Sequence, residues 1–170
     1  CSPGKGAFVL PEDAMNRAPT DAGGEAILPV PGEVVVPGGK WLAKAELIEG
    51  EQLERVRRAL RREDWQAVWQ YLPVSRYVVY IDAAGVGEGL LVRARRPGDR
   101  MQPLGMLHEK KVQDILVDEH IPQAERASIP LFFSRSASPF CVWLAGVCLD
   151  QRARLTGTSE YIARLTLEPL

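Results

Sequence analysis

Tyr77-Val78-Val79-Tyr80-Ile81 is followed by the glycine-rich Gly85-Val86-Gly87-Glu88-Gly89 and then by Leu90-Leu91-Val92-Arg93-Ala94. Two readings compete for this stretch. The GxGxG spacing is that of a dinucleotide-binding loop, but such a loop opens a helix directly after a strand. Here a second strand-like run follows the glycines, so the segment reads as strand, loop, strand. That removes the regular βαβ unit and leaves a sheet assembled from strands and helices in irregular order.

The same reading extends in both directions. Upstream, Ala26 to Val30, Glu33 to Val36 and Lys40 to Leu47 are short β-rich runs separated by Pro31-Gly32 and Pro37-Gly38-Gly39, which predicts an antiparallel meander. From Gly50 the period changes. Leu53, Val56 and Leu60 fall at helical spacing with Glu51-Arg55 and Glu54-Arg58 as four-residue ion pairs. Asp64 can cap a second helix whose Trp65, Val68, Trp69 and Leu72 form one apolar stripe ended by Pro73. Downstream, Val112, Ile115 and Leu116 predict a short amphipathic helix ending before Ile121-Pro122, and Pro122 can open a brief helix through Ala127. Leu131-Phe132-Phe133 and Phe140 to Ala145 form an apparent hairpin, and Tyr161, Ala163, Leu165 and Leu167 alternate on one strand face. The fold class is therefore α+β, with mainly antiparallel strands and short helices.

The 170 residues, 46% hydrophobic and 25% charged, are ordinary globular composition. Residues 1–23 carry many Pro and Gly and read as a linker or disordered terminus, with Phe8-Val9-Leu10 as a remnant strand. Residues 24–86 read as the meander with its helical insert at 50–72, and 87–170 as a C-terminal domain. Cys1 in place of a starting methionine reads as the start of a fragment rather than as a lipid-bearing residue. No apolar run approaches the roughly 20 residues of a bilayer span, and a cytoplasmic protein without membrane contact is expected. Cys1, Cys141 and Cys148 have no CxxC spacing and read as reduced thiols, the last two as core filler. His108 and His120 lack partners at ligand spacing, so no metal site is expected. Ser75 and Ser138 sit in no GxSxG elbow, so no catalytic residue is assigned.

With a formal charge of -1 and a pI near 6.2, any site for nucleic acid has to be local. Arg55, Arg57, Arg58, Arg61 and Arg62 invite an RNA reading, but they lie late on the first helix, where cations complement the dipole and three neighbouring acids offset them, and a solvated helix face is the preferred reading over an RNA contact. The stretch from Arg93 to Lys111 differs: Arg93, Arg95, Arg96, Arg100, Lys110 and Lys111 stand against Asp99 and Glu109, a local charge of +4. Arg93 and Arg95 alternate along a strand and are expected to project exposed from one face. Pro97-Gly98 turns the chain and can return Arg100 toward them. Lys110 and Lys111 are expected in the first turn of the next helix. Guanidinium groups on a strand and turn suit phosphate oxygens. The alternative is a surface turn in which Asp99 pairs one arginine.

Arg93 to Met106 resembles the (L)xVRxRRPGDRxxPLGM signature of the tRNA(Ile)-lysidine synthetase family. Lys110 to Asp118 is similar to the family's KKLKDFFID helix. Ile121-Pro122, Arg126, Ile129-Pro130-Leu131 and Val142-Trp143-Leu144-Ala145-Gly146 follow its IPxxxRxxxPLxxxxxxxxWxAG continuation, and Leu28 to Glu33 resembles its LPVPGEV segment. The resemblance implies the C-terminal, tRNA-recognising region of an enzyme that takes ATP (with Mg) and lysine as substrates and attaches lysine to the wobble cytidine of tRNA(Ile). It implies tRNA(Ile) and an N-terminal catalytic domain of the same chain as partners, with a homodimer left open, and Arg93, Arg95, Arg96, Arg100, Lys110 and Lys111 as tRNA contacts. Gly98, Pro103 and Gly105 are expected to shape the loop. Nothing resembles the family's SGGxDS-type PP-loop, so this stretch is expected to hold no cofactor and to make no lysidine alone. The two helices of residues 50–72 also exceed the family pattern. The alternative function is a protein-interaction or structural module acting through Trp65 and Trp69.

Overall fold

The computed structural model describes residues 24–86 and 89–170. The expectations for residues 1–23, and for Gly87 and Glu88 in the glycine-rich segment, fall outside the described residues. Two antiparallel sheets form the body. One has five strands in the order β1 (Glu25–Leu28), β5 (Leu90–Ala94), β8 (Pro130–Ser134), β9 (Cys141–Leu144) and β10 (Cys148–Leu149). The other has four, β2 (Gly32–Val35), β3 (Trp41–Leu47), β11 (Ile162–Pro169) and β4 (Val78–Asp82). A two-residue ribbon pairs β6 (Arg100–Met101) with β7 (Lys110–Lys111). Both larger sheets draw strands from either side of residue 86.

The chemistry of the runs explains the layering. Leu28, Leu90, Val92 and Phe132 of the five-stranded sheet share one buried core with Ala43, Ile81, Ala163 and Leu165 of the four-stranded sheet. Phe132 and Trp143 pack with ring centroids 4.9 Å apart at its centre. Residues one position along face outward, as a period of two requires. Tyr80 and Ile162 meet α1 (Gly50–Arg61) and α2 (Trp65–Tyr71) through Val56, Leu60, Val68 and Leu72. On the opposite side Leu131, Cys141 and Leu144 meet α3 (Val112–Asp118) through Val112, Ile115 and Leu116. Cys141 to Leu144 is an unbroken apolar run because both faces of β9 are covered. Cys141 and Cys148 are unpaired thiols, and burial pushes both up in pKa.

The mixed α+β class, both insert helices, the hairpin and the β11 alternation are as the sequence predicts. Asp64 caps α2 by accepting the Ala67 N–H at 3.2 Å. Pro122 stands just before α4 (Gln123–Arg126) as its N-cap. Three details differ. The early strands are not one meander: β2 and β3 form a hairpin, while β1 crosses to pair with β5, Leu28 opposite Leu90. Pro29 and Pro31, which have no N–H to give, separate the two sheets at that point. Of the α2 stripe only Val68 and Leu72 are buried; Trp65 and Trp69 remain 37% and 42% exposed, stacked on each other with centroids 6.1 Å apart. Lys110 and Lys111 lie in β7 rather than in the first helical turn, Lys111 being the N-cap of α3.

Two aspartates fix the loop between β5 and α3. Asp99 Oδ1 and Oδ2 accept Arg93 Nη2 and Nη1 at 2.8 and 2.9 Å, and Oδ2 also accepts the Arg96 N–H at 2.7 Å. Gly98, at φ +90, lets the chain close that turn without a Cβ penalty. Asp150 is fully buried and accepts the N–H of Gln102 and of Arg152, both at 2.8 Å, plus two bonds from the Arg152 guanidinium. Gln151 completes the mooring: its N–H donates to Gln102 O at 2.8 Å and its Oε1 accepts the Gly105 N–H at 2.7 Å.

Asp150→Ala is therefore expected to cost about 1–3 kcal/mol by orphaning buried donors. Amide exchange should speed up at Gln102 and Gly105 while β11 keeps its protection; unchanged exchange in the loop would refute the mooring role. For Asp99, burial alone would raise the carboxyl pKa, but the Arg93 hydrogen bond, the Arg96 N–H and the two positive charges outweigh it and hold the group below the ordinary value. A depressed folded value means that the ionised carboxylate stabilises the fold above about pH 4 and that this contribution fades as pH falls through the folded value. Urea midpoints followed from pH 7 to 3 should show the wild type losing stability in that acid window and Asp99→Asn losing less, from a lower starting point.

Candidate nucleic-acid interface

The six cations between Arg93 and Lys111 end in different environments. Arg93 leaves the second strand of the five-stranded sheet, where β1 and β8 flank it, and is only 8% exposed. Its guanidinium lies 4.2 Å from the centroid of Phe133, its diagonal neighbour on β8, and is held by both oxygens of Asp99. The expectation of an exposed Arg93 sharing a face with Arg95 is thus corrected. Asp99, six residues on, folds back over the strand and takes the charge inward, and Arg95 already lies past the end of β5.

The other five differ in their partners. Arg96 reaches Glu25 Oε2 at 2.9 Å. Arg100 approaches Glu109 Oε1 at 3.7 Å, and Arg152 approaches the other oxygen of the same carboxylate at 3.3 Å. Lys110 is paired with Asp118 at the far end of α3, and that hydrogen bond pushes its ammonium pKa up. Arg95 and Lys111 have no carboxylate partner among the described residues, and Arg95 Nε is buried without an acceptor. The acids Glu25 and Asp118, both outside the basic stretch, therefore offset part of the +4 counted along the chain.

Of these cations, Arg93 and Arg96 wall an open groove of about 460 Å³ together with Glu25, Leu91, Phe133 and Arg135. Arg135 is exposed, with its backbone N–H on Val86 O at 2.9 Å and its side chain free of ion pairs among the described residues. It and Arg152 were not among the sequence candidates. Neither sits in a local run of positive charge; only pairing of β8 with β5, and the Asp150 anchor, bring them alongside. Beyond the ribbon, Leu104, Met106 and Leu107 lie exposed at the loop tip, with Gly105 at φ +86 and Pro103 bridged to Asp150 giving the loop its shape. His108 and His120 are exposed, and among the described residues no three His, Cys, Asp or Glu side chains could hold a metal ion. No described helix is long and apolar enough to cross a membrane.

The chemistry available is electrostatic and geometric. Half-exposed ion pairs in water contribute little to stability, so Arg96, Arg100 and Lys110 can exchange a carboxylate for another oxyanion at small cost. Arg95 and Lys111 need exchange nothing. Spread over a turn, a ribbon and a helix entrance, the set can follow a line of phosphates rather than clamp a single anion.

Residues 90–163 match the family model described as the TilS substrate C-terminal domain. Over 73 residues the chain is 45% identical to the tRNA(Ile)-lysidine synthase of Geobacter sulfurreducens, covering 43% of this chain and 15% of that protein. Over 138 residues it is 33% identical to the tRNA(Ile)-lysidine synthase of Symbiobacterium thermophilum, covering 81% of this chain and 24% of that protein. The chain spans under a quarter of the length of these relatives. It shares its fold with a structure described as the crystal structure of a TILS C-terminal domain, at a TM-score of 0.58 and 24% identity, over 86% of this chain and 98% of that one. Through residues 90–163, the strands that complete their sheets and the relatives aligned with both, the chain belongs to the family of tRNA(Ile)-lysidine synthase C-terminal regions.

Proposed function

We propose that this chain is the tRNA-gripping part of an ATP-dependent tRNA(Ile)-lysidine synthase, acting in the cytoplasm on the isoleucine tRNA whose wobble cytidine the parent enzyme joins to lysine. The observation that carries the reading is the arrangement around the Arg93-Asp99 pair: Arg95, Arg96, Arg100, Lys110 and Lys111 displayed on a turn and ribbon moored by two aspartates. Such a surface reads phosphate positions and supplies affinity and orientation rather than base identity. Arg93 acts beneath it as the residue that shapes the turn. The grip holds the tRNA so that a catalytic domain elsewhere in the parent protein meets the anticodon. ATP (with Mg) and lysine would bind in that domain, since the 170 residues contain no SGGxDS-type stretch.

A second reading draws on the stacked, exposed Trp65 and Trp69. An indole pair standing out of a helix is a frequent hot spot of protein interfaces, and the catalytic domain of the same parent chain is the partner this reading takes. Weakened association of separately purified catalytic domain on Trp65→Ala with Trp69→Ala, at unchanged tRNA affinity, would support it.

Two variants separate the roles in the first reading. Arg95→Ala with Lys111→Ala should weaken binding of an isoleucine tRNA transcript and lower the slope of log affinity against log salt by about 0.9 for each phosphate no longer neutralised, with little change in melting temperature. Arg93→Ala should instead destabilise the fold by about 3 kcal/mol, because it leaves a nearly buried carboxylate unpaired. Unchanged affinity in the first variant would sink the phosphate assignment. Purified chain given tRNA, ATP and lysine should form no lysidine by nucleoside mass spectrometry, and detection of lysidine would overturn the division of labour.

A further inference from the structure

We infer that the helical hairpin of α1 and α2 carries a second phosphate-binding notch, and that its occupant is the sugar-phosphate backbone of the same RNA. The inference rests on the tRNA reading above and adds a site remote from it in sequence. Arg55, Arg58 and Arg62 fall three and four residues apart on one flank of α1. Facing Ala67 and Tyr71 of α2, they line a notch of about 170 Å³ whose remaining wall includes Asp64. Arg55 is tied to Glu51 at 2.9 Å, and Arg57, on the other flank, to Glu54 at 3.2 Å. Arg58 and Arg62 have no acid partner among the described residues and stand exposed.

Like charges at helical spacing repel by a few tenths of a kcal/mol per pair. The helix dipole favours cations in this last turn, Arg58 among them, but no core contact calls for three arginines around one opening. The Asp64 carboxylate offsets them only in part, since its Oδ1 is engaged by the Ala67 N–H. An oxyanion in the notch would relieve the repulsion and meet the guanidinium forks of that flank. The sequence assigned these arginines to a solvated helix face, and they are solvated; the turn at Glu63 and Asp64, which lays α2 against α1, makes that face concave. Phosphodiester is preferred over an acidic peptide because three guanidinium groups line the notch and its apolar lining is limited to Ala59 and Ala67 beside Tyr71, and because the other exposed basic surface of the molecule is read as an RNA contact.

The test uses the whole 170-residue chain and a fluorescent isoleucine tRNA transcript at two salt concentrations. It compares the wild type with Arg58→Ala plus Arg62→Ala, with Arg58→Lys plus Arg62→Lys, and with Arg95→Ala plus Lys111→Ala. The alanine pair in α1 should lose about tenfold in affinity and about 1.8 in salt slope, the value for two phosphates, at an unchanged melting temperature. The lysine pair should keep most of the slope. If the α1 alanine pair binds as the wild type does while the loop pair weakens, the notch inference is overturned and the proposed function stands. If neither pair matters, both are overturned. If poly-L-glutamate of matched charge displaces the tRNA from the loop pair variant as well as unlabelled tRNA does, the notch takes acidic peptides and the RNA assignment is overturned.

Discussion

A single arginine-aspartate pair sets the conditions for the basic surface. Arg93 starts from a strand flanked on both sides, so its side chain has to cross the sheet's edge under cover, and a guanidinium so placed needs its charge met. Asp99 meets it with both oxygens and in doing so closes the chain into a turn. The Arg96 N–H on the same carboxylate and Gly98 at positive φ complete that turn, and the Asp99 carbonyl accepts the Val112 N–H that starts α3. The exit from β5, the ribbon and the entry to the helix thus share one anchor. Without it, the flanking cations would belong to a loose loop and would surrender conformational entropy whenever they aligned on a ligand.

The charge of this surface is regulated by acids brought from a distance. Glu25 comes from β1 and Asp118 from the end of α3, so the local excess read along the chain is partly cancelled in space. Cancellation of this kind limits nonspecific adhesion to any polyanion, while half-exposed pairs remain exchangeable. Glu109, shared by Arg100 and Arg152, holds two cations at a fixed spacing in the same way.

How much of this is legible in the residues depends on the range of the interaction. The helix periods of α1 and α3, the cap at Asp64 and the strand alternation in β11 arise from neighbours within a few positions, and all can be read directly. The destination of β1 cannot, because a strand four residues long carries no label for its partner; only the two prolines hint that it does not continue into β2. Trp65 and Trp69 fall on the expected stripe, yet Val68 and Leu72 alone fill the available space beneath it, and size rather than period decides the matter. At the interface the basic stretch and the role of the turn residues are visible, and even the option of an Asp99 ion pair. That Arg93 is the arginine taken, and that Arg135 and Arg152 arrive beside it, depends on sheet register and on a buried aspartate about fifty residues away.

The position of β11 has a consequence for how the protein is made. It lies between β3 and β4, pairing Leu165 with Ala45 on one side and with Val79 on the other. Those two strands therefore do not hydrogen-bond to each other, and both wait for residues 162–169 to supply the strand between them. Synthesis runs from the N-terminus at about 5–20 residues per second, so about 4–16 seconds separate completion of Asp82 from the arrival of Ile162. For that interval β3 and β4 each present a bare edge, the kind of template on which a neighbouring nascent chain can add a strand. A ribosome paused after Asp150 and before Ile162 would hold a chain with its basic loop and both anchoring aspartates already made and its four-stranded sheet still open.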